Sequence, residues 1–236
     1  MSTDPNPSST KTAQAPGKAP MVVFDRVSLG RSDCGRAGAP ISFSIAPGSF
    51  HFLTGPPGSG KTAVLEVIGV ARQPAGGRVD VLGRDLASLS RAERPLLRRR
   101  IGMVFDEPRL IDDLTAFDNV ALAARAAGRK AAAYRDHVAE LLTWIGLGAR
   151  MASLPGGLSA AEQRRLAIAR AVINSPNLLI ADEPTGRLEG TARFGVLRLL
   201  ADLNRAGTTV LIATRDSVLA EGSGAAVIRL ADGAAA

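Results

Sequence analysis

A glycine-rich loop constrains this chain of 236 residues more than any other feature. Residues 55–62 read Gly-Pro-Pro-Gly-Ser-Gly-Lys-Thr and match the phosphate-binding pattern GxxxxGK[ST] at every fixed position. An apolar strand is predicted before the loop at Phe50–Thr54, and a helix after it from Lys61 to about Val70. This setting predicts an α/β fold that binds a nucleotide phosphate at the start of the helix.

The chemistry of the loop explains its spacing. Glycines let the backbone N–H groups curl around phosphate oxygens, and the helix N-terminus adds the positive end of its dipole. Lys61 is expected to reach the β- and γ-phosphates, and the Thr62 hydroxyl is expected to bind magnesium. The residues predicted to bind nucleotide are Gly55, Pro56, Pro57, Gly58, Ser59, Gly60, Lys61 and Thr62.

A second segment supplies the acidic partner that such a loop requires. Four apolar residues, Leu178–Ala181, predict a buried strand that is followed by Asp182 and Glu183. Asp182 is expected to hold magnesium, and Glu183 to act as the general base that polarises the attacking water. Many strands end in acidic residues, so this pattern indicates a nucleotide site only in combination with the phosphate loop.

Composition narrows the class of protein. A hydrophobic fraction of 46% and a charged fraction of 22% exclude general disorder, and the single cysteine excludes a disulfide framework. The net charge of +7 suits a nucleotide, a nucleic acid or an acidic membrane surface. No apolar stretch is long enough to span a membrane, and residues 1–20 predict a disordered cytoplasmic tail.

The remaining elements alternate between strands and helices, which predicts a parallel sheet wrapped by helices. Apolar stripes at helical spacing mark a helical middle region and a helix at Thr191–Arg205. We interpret the middle region, about 106–175, as an insertion into a domain of residues 21–236. The other predicted elements are strands Val22–Val27, Ile41–Ile45, Val79–Leu82 and Thr208–Ala213 and a helix over Ser159–Ile173.

Five further segments connect the chain to a known family. Residues 158–166, Leu-Ser-Ala-Ala-Glu-Gln-Arg-Arg-Leu, resemble the LSGGQ-type signature of ABC ATPases. Within that superfamily, residues 97–105 and 114–121, together with 169–173 and 181–186, are most similar to the FtsE family of cell-division ATP-binding subunits. The resemblance implies a P-loop NTPase core with a parallel sheet, an N-terminal antiparallel β subdomain and an inserted helical subdomain.

The resemblance also implies partners. In this family Ser159, Ala160, Ala161 and Glu162 would face the γ-phosphate of ATP held by a second subunit, so a head-to-tail homodimer is expected with ATP and Mg²⁺. An FtsX-like transmembrane permease would recruit the chain to the cytoplasmic face of the bacterial inner membrane, as a peripheral subunit that binds no nucleic acid. A plainer interpretation is that Ser159 and Glu162 form a helix capping box and nothing more.

The chain departs from the family pattern at several positions of the catalytic interface. Asp106 replaces a glutamine that binds magnesium and water, Arg215 replaces a histidine that contacts the γ-phosphate, and Glu189 replaces an aspartate. Ala160 and Ala161 replace two glycines, and Arg31 stands where an adenine-stacking aromatic residue is expected. Together they predict retained ATP binding with impaired hydrolysis, and a compensating contact between Arg215 and Asp106.

Two other functions stay open at this point. The first is the ATPase subunit of a lipoprotein-releasing or macrolide-type exporter, and the second is a nucleotide-gated scaffold that does not turn over. Several conspicuous residues have structural interpretations. His51, Trp144, Tyr134 and Phe117 are expected to pack inside the protein, His137 to be solvated, and the arginines of 91–100 to form a solvated helix face or a contact with lipid headgroups or the membrane partner.

Overall fold

The computed structural model describes residues 19–30, 39–231 and 234–235. Its strands form two sheets. The smaller sheet is antiparallel, in the order β2-β1-β4-β5, and the larger has the order β10-β9-β3-β8-β7-β6. Every pair in the larger sheet is parallel except β9 with β10. The strands are β1 (Val22–Ser28), β2 (Ile41–Ile45), β3 (Phe50–Thr54), β4 (Gly76–Val81), β5 (Arg84–Asp85), β6 (Ile101–Val104), β7 (Leu178–Asp182), β8 (Thr209–Thr214), β9 (Ala226–Ala231) and β10 (Ala234–Ala235). The expected α/β fold with a parallel core and an antiparallel β region is confirmed.

Side-chain caps mark the start of three α-helices, at Thr115, Ser159 and Asp216. The Thr115 hydroxyl accepts the Asp118 N–H at the start of α3, and Ser159 forms a complete capping box with Glu162 at the start of α5. The helices are α1 (Lys61–Ile68), α2 (Glu93–Arg98), α3 (Ala116–Ala126), α4 (Arg135–Trp144), α5 (Ala160–Val172), α6 (Gly190–Arg205) and α7 (Ser217–Gly222).

The strand register brings the polar loops together. Thr54 at the end of β3 pairs with Thr214 at the end of β8, and Asp182 of β7 pairs with Ala213. On the other side of β7, Val104 of β6 pairs with Ala181. Because parallel strands end at one edge, the loops that follow β3, β6, β7 and β8 gather there.

Side chains of the central strands alternate between two apolar cores, one on each face of the larger sheet. On β7, Leu178 and Ile180 face the core that contains α1, whereas Leu179 and Ala181 face the core that contains α3 to α6. All four are fully buried. Burial on both faces explains why this strand is a continuous apolar run.

The predicted helical middle region consists of α3, α4 and α5, joined through turns at Gly128 and Gly146. The stripe Val138, Leu141, Leu142 and Ile145 faces the core as expected. The first helix is shorter than predicted and ends at Ile68, because Val70 adopts a left-handed backbone with φ 58°. Such a conformation cannot continue an α-helix.

Trp144 corrects one expectation about packing. It was expected to be packed, yet 51% of it is exposed at the end of α4, where it lines a surface groove with residues of α5 and α6. His51 and Tyr134 are buried, Phe117 is half-buried against the core, and His137 is exposed.

The arginines of 91–100 lie on and around α2. Four of the five are exposed, whereas Arg94 is half-buried. Arg98 donates to the Val70 carbonyl, with Nη2 at 2.6 Å, and Arg100 donates to Asn177. Within the described ranges, no helix combines the length and apolarity needed to cross a bilayer. Residues 1–18, Arg31 and Cys34 lie outside the described residues.

Candidate nucleotide site

The loop between β3 and α1 is built around glycines that its geometry requires. Gly60, the N-cap of α1, has φ 93°, a left-handed conformation that residues with a Cβ rarely adopt. At Gly55 a Cβ would lie 2.4 Å from the Leu230 carbonyl oxygen and 2.6 Å from Ser59 Oγ. The loop therefore passes close to β9 and turns directly into the helix.

The ammonium of Lys61 lies within this loop. Its Nζ donates hydrogen bonds to the carbonyls of Gly55 at 2.7 Å and Pro56 at 3.0 Å, and lies 3.4 Å from Ser59 Oγ. Burial lowers the pKa of Lys61, and the Glu183 carboxylate opposes that shift. A cation held among backbone dipoles at a helix N-terminus favours a polyanion such as a triphosphate.

A hydrogen bond joins the loop to the end of β7. Thr62 Oγ1 donates to Asp182 Oδ2 at 2.8 Å, across 120 residues of sequence. Burial raises the pKa of Asp182, the Thr62 hydroxyl opposes this, and the neighbouring carboxylate of Asp106 adds to it. A hydroxyl and carboxylates in this arrangement are the hard oxygen ligands that Mg²⁺ takes beside phosphates, so the residues present fit that ion.

Glu183 lies beside Asp182 and is held by the segment that follows β8. Glu183 Oε1 accepts the Arg215 N–H at 2.8 Å, and Oε2 accepts the Thr214 hydroxyl at 3.2 Å. Burial raises the pKa of Glu183, while these two hydrogen bonds and the Arg215 cation lower it. The backbone of Glu183 is left-handed, with φ 43°, a conformation that residues with a Cβ rarely adopt.

Arg215 contacts a different carboxylate from the one expected. A compensating contact with Asp106 was predicted, but Arg215 Nε lies 3.5 Å from Glu183 Oε1, and no ion pair within 4 Å joins Arg215 to Asp106 in the described part of the chain. The two side chains line the same cleft, of about 400 Å³, from different loops. The expected Arg215–Asp106 pair is therefore wrong, because the turn after β8 directs Arg215 towards β7.

Two arginines of α5 bind the loop that carries Asp106. Arg164, which is 3% exposed, donates to the carbonyls of Phe105 at 2.5 Å and Asp106 at 2.6 Å. Arg170 donates in the same way to Pro108 at 2.7 Å and Arg109 at 2.6 Å. Four hydrogen bonds, to the carbonyls of residues 105, 106, 108 and 109, fix the backbone of this loop to α5.

Ser159, Ala160, Ala161 and Glu162 lie at the start of α5, and their polar contacts are local. Ser159 Oγ and N both donate to Glu162 Oε2 at 2.8 Å, and Arg150 Nε lies 3.7 Å from the other oxygen of that carboxylate. Among the described residues, neither Ser159 nor Glu162 forms a hydrogen bond with loop 55–62. Within one chain, this segment is a capped helix start outside the cleft.

Glu189 is the exposed N-cap residue of α6, and its side chain makes no capping hydrogen bond. The structure also adds residues that sequence reasoning missed. Arg193 of α6 forms an ion pair with Asp216, which follows Arg215, and both line the cleft. No short-range signal joins residues 23 positions apart, although Asp216 has the residue type of a helix N-cap.

Comparisons with known proteins agree with this geometry. The ABC transporter family profile matches residues 39–186. The chain is 39% identical over 213 residues to the cell division ATP-binding protein FtsE of Escherichia coli strain K12, covering 90% of this chain and 96% of that protein. It is 36% identical to FtsE of Bacillus subtilis, covering 82% and 85%.

Two further similarities are relevant. The chain is 40% identical over 194 residues to the macrolide export ATP-binding/permease protein MacB of Marinobacter nauticus, covering 82% of this chain but 30% of that protein. It matches the dimeric, post-hydrolysis structure of the ATP-binding cassette MJ0796 bound to ADP and Pi, with a TM-score of 0.80 and 32% identity, over 91% of this chain and 96% of the other.

Proposed function

Because the chain belongs to the ABC transporter family, we propose that it is the ATP-binding subunit of a bacterial inner-membrane complex of this family. One observation carries the proposal: the Thr62–Asp182 hydrogen bond unites the phosphate loop with the acidic end of β7. Lys61 precedes Thr62 in the chain, and Glu183 follows Asp182.

We assign the nucleotide phosphates to residues 55–62, with Lys61 as their principal cation. Thr62, Asp182 and Asp106 would hold Mg²⁺, which when bound neutralises phosphate charge and orients the γ-phosphate. Glu183 is the general base, because its buried carboxylate has a raised pKa and lies beside the metal ligands. Its fixed orientation would aim it at the attacking water.

We further propose that hydrolysis is slow. The Arg215 cation lies 3.5 Å from the base and stabilises its charged form, which weakens it as a proton acceptor. A guanidinium accepts no hydrogen bond, so Arg215 cannot bridge phosphate and water as a neutral imidazole can. Asp106 adds negative charge beside the phosphates, which opposes the developing charge of the nucleophile.

The chain would act as a head-to-tail homodimer. Ser159, Ala160, Ala161 and Glu162 lie outside the cleft of their own chain, so a second copy would have to bring them to the nucleotide. The dimeric MJ0796 cassette, with its TM-score of 0.80, supports this arrangement.

We propose that the dimer works in cell division, bound to an FtsX-like permease at the cytoplasmic face of the inner membrane. The relatives from E. coli and B. subtilis are cell division ATP-binding proteins, which supports this assignment. In this domain of residues 21–236, the helical subdomain of 106–175 would carry nucleotide-driven movement to the permease, because α5 is bonded to the Asp106 loop.

Two alternatives have specific support. The similarity to MacB favours an exporter ATPase, and the Arg215–Glu183 contact favours a scaffold that binds ATP without turnover. Co-purification with the membrane protein encoded beside the gene distinguishes the exporter ATPase from the proposed cell-division subunit. A permease related to cell division and an exporter permease differ in sequence. ATP turnover measured with that partner present distinguishes the scaffold, which would show none, from a subunit that hydrolyses ATP.

Calorimetric titration with ATP and magnesium tests the core of the proposal. Wild type should bind, and Lys61→Ala should lose measurable binding. Lys130→Ala, a lysine outside the phosphate loop, is the matched control and should bind like wild type. Equal affinity in the Lys61→Ala variant would refute the site assignment.

A further inference from the structure

A closed chain of contacts surrounds Glu183. The polypeptide leaves Glu183, passes through loop 184–189 and enters α6, whose first turn carries Arg193. Arg193 pairs with Asp216, and the Asp216 N–H donates to Thr214 Oγ1 at 3.1 Å. Thr214 and Arg215 then donate to the two oxygens of Glu183, which completes the circuit.

We propose that Arg193 is a positioning residue for Glu183, acting through Asp216 on the turn whose hydroxyl and amide bind the Glu183 carboxylate. This inference rests on the proposed function of Glu183 as the base. It concerns a residue that pairs with Asp216 and acts on Glu183 only through the turn.

The turn lies between the end of β8 and a short helix, and Asp216 contacts both α7 and α6. Thr214 is the last residue of β8, and α7, which begins at Ser217, is only six residues long. Asp216 Oδ1 accepts the Leu219 N–H at 2.8 Å and so caps that short helix. Its other oxygen, Oδ2, receives the Arg193 guanidinium, so one carboxylate ties the turn both to α7 and to α6.

The burial of the pair makes the contact effective. The side chains of Arg193 and Asp216 are 29% and 37% exposed, so solvent screens them less than the more exposed Arg229–Glu221 pair. Both residues line the cleft that contains Glu183 and Arg215. Movement of the turn by a fraction of an ångström would move both hydrogen-bond donors of the base.

The test compares wild type with Arg193→Ala, Arg193→Lys and the control Arg198→Ala, an exposed arginine of the same helix. Arg193→Ala should lower kcat about tenfold and leave KM for ATP within twofold, because positioning of the base matters for the chemical step alone. Arg193→Lys keeps a cation for Asp216 and should recover most of the loss. Arg198→Ala should match wild type.

A second measurement does not depend on turnover. The Arg215 amide donates to Glu183, so its hydrogen exchange, followed by NMR without nucleotide, reports directly on the turn. Arg193→Ala should accelerate that exchange about tenfold while amides in the middle of β7 and β8 stay protected. Asp216→Asn keeps an oxygen for the α7 cap but loses the charge, and should have the same effect; combined with Arg193→Ala it should add little.

Unchanged exchange at Arg215 in Arg193→Ala, or an Arg193→Lys variant as impaired as Arg193→Ala, would overturn the inference. A fall in kcat accompanied by a rise in KM for ATP would also overturn it, since that combination would indicate a general loss of the site. Failure of the proposed function has a different signature: Lys61→Ala would then still bind ATP, whatever happens at Arg215.

Discussion

The phosphate loop and the loops that carry Asp106 and Arg215 differ in how fully they keep the family pattern. Residues 55–62 match it at every fixed position, and within this loop Lys61 donates to the Gly55 carbonyl and Thr62 donates to Asp182. At the other side, Asp106 and Arg215 replace an amide and an imidazole. In the proposed site, the groups that would hold phosphate keep the family pattern, whereas the groups that would act on water depart from it.

Disruption of the phosphate loop should have the largest effect. In Gly55→Ala the new Cβ would meet the Leu230 carbonyl at 2.4 Å, so the loop must shift. Loss of one or two charge-assisted phosphate contacts, each about 1.5–3 kcal/mol, should weaken ATP binding on the order of a hundredfold by calorimetry. Gly156→Ala, where a Cβ would meet open space, is the control. Equal affinities in the two variants would contradict this account of the loop.

Returning Asp106 and Arg215 to the residues of the family pattern should have the next largest effect. Asp106→Gln and Arg215→His should each raise kcat, and together they should raise it more than either alone. Because Arg215 pairs with Glu183 and not with Asp106, the two gains should multiply, to about a hundredfold if each is about tenfold. Steady-state turnover with the membrane partner measures this. A wild-type kcat on the order of 1 s⁻¹ or faster would show that the substitutions are harmless.

A smaller effect is expected at the start of α5. Replacing Ala160 and Ala161 together by glycine removes two Cβ atoms where a second subunit's phosphate would approach. ATP-driven dimerisation, followed by light scattering with the Glu183→Gln variant as background, should strengthen a few-fold, about 1 kcal/mol. Ala139→Gly in α4 is the control. Dimerisation that is unchanged or weaker would place the limiting contact elsewhere.

The smallest effect concerns stability. Burial raises the pKa of Asp182, so the folded state binds a proton there more tightly than the unfolded state. Stability is therefore lost as pH rises from the ordinary value of 3.8 through the raised pKa. Asp182→Asn removes that cost and should raise Tm at pH 7 without nucleotide, by about 2–4 °C for each kcal/mol relieved.

The gain from Asp182→Asn should shrink as pH falls and the wild-type carboxyl becomes protonated. Thermal unfolding of both proteins from pH 7 to pH 4 measures it. A gain that is independent of pH would show that the asparagine acts by packing and not by charge.

The parts of the molecule that the sequence predicts are those with local or periodic signals. The phosphate loop, the buried strand before Asp182 and the stripes of α4 and α6 all carry such signals, and the structure has them where they were expected. The Thr62–Asp182 bond also follows from pattern, because a known motif pairs the two residues. The Arg193–Asp216 pair and the Arg164 and Arg170 contacts join distant segments, so no pattern in one stretch of sequence reveals them.

The direction of Arg215 was the clearest failure of sequence reasoning. Charge complementarity alone suggested Asp106, but Glu183 and Asp106 are both acidic and both line the cleft. The choice depends on the backbone: the Arg215 amide already binds Glu183, which places the guanidinium within reach of the same carboxylate. The register of β8 against β7 and the turn after β8 together set that geometry.

The exposure of Trp144 has a consequence for spectroscopy. It is the single tryptophan of the chain, about half of it is exposed to solvent, and it lines a groove with Ala161 of α5 and Gly195 of α6. Indole emission shifts in wavelength and intensity with the polarity around the ring, and no second indole would contribute background. Any displacement of α4 against α5 or α6 therefore changes a signal that the unlabelled protein already emits, so stopped-flow fluorescence can time such movement during ATP binding.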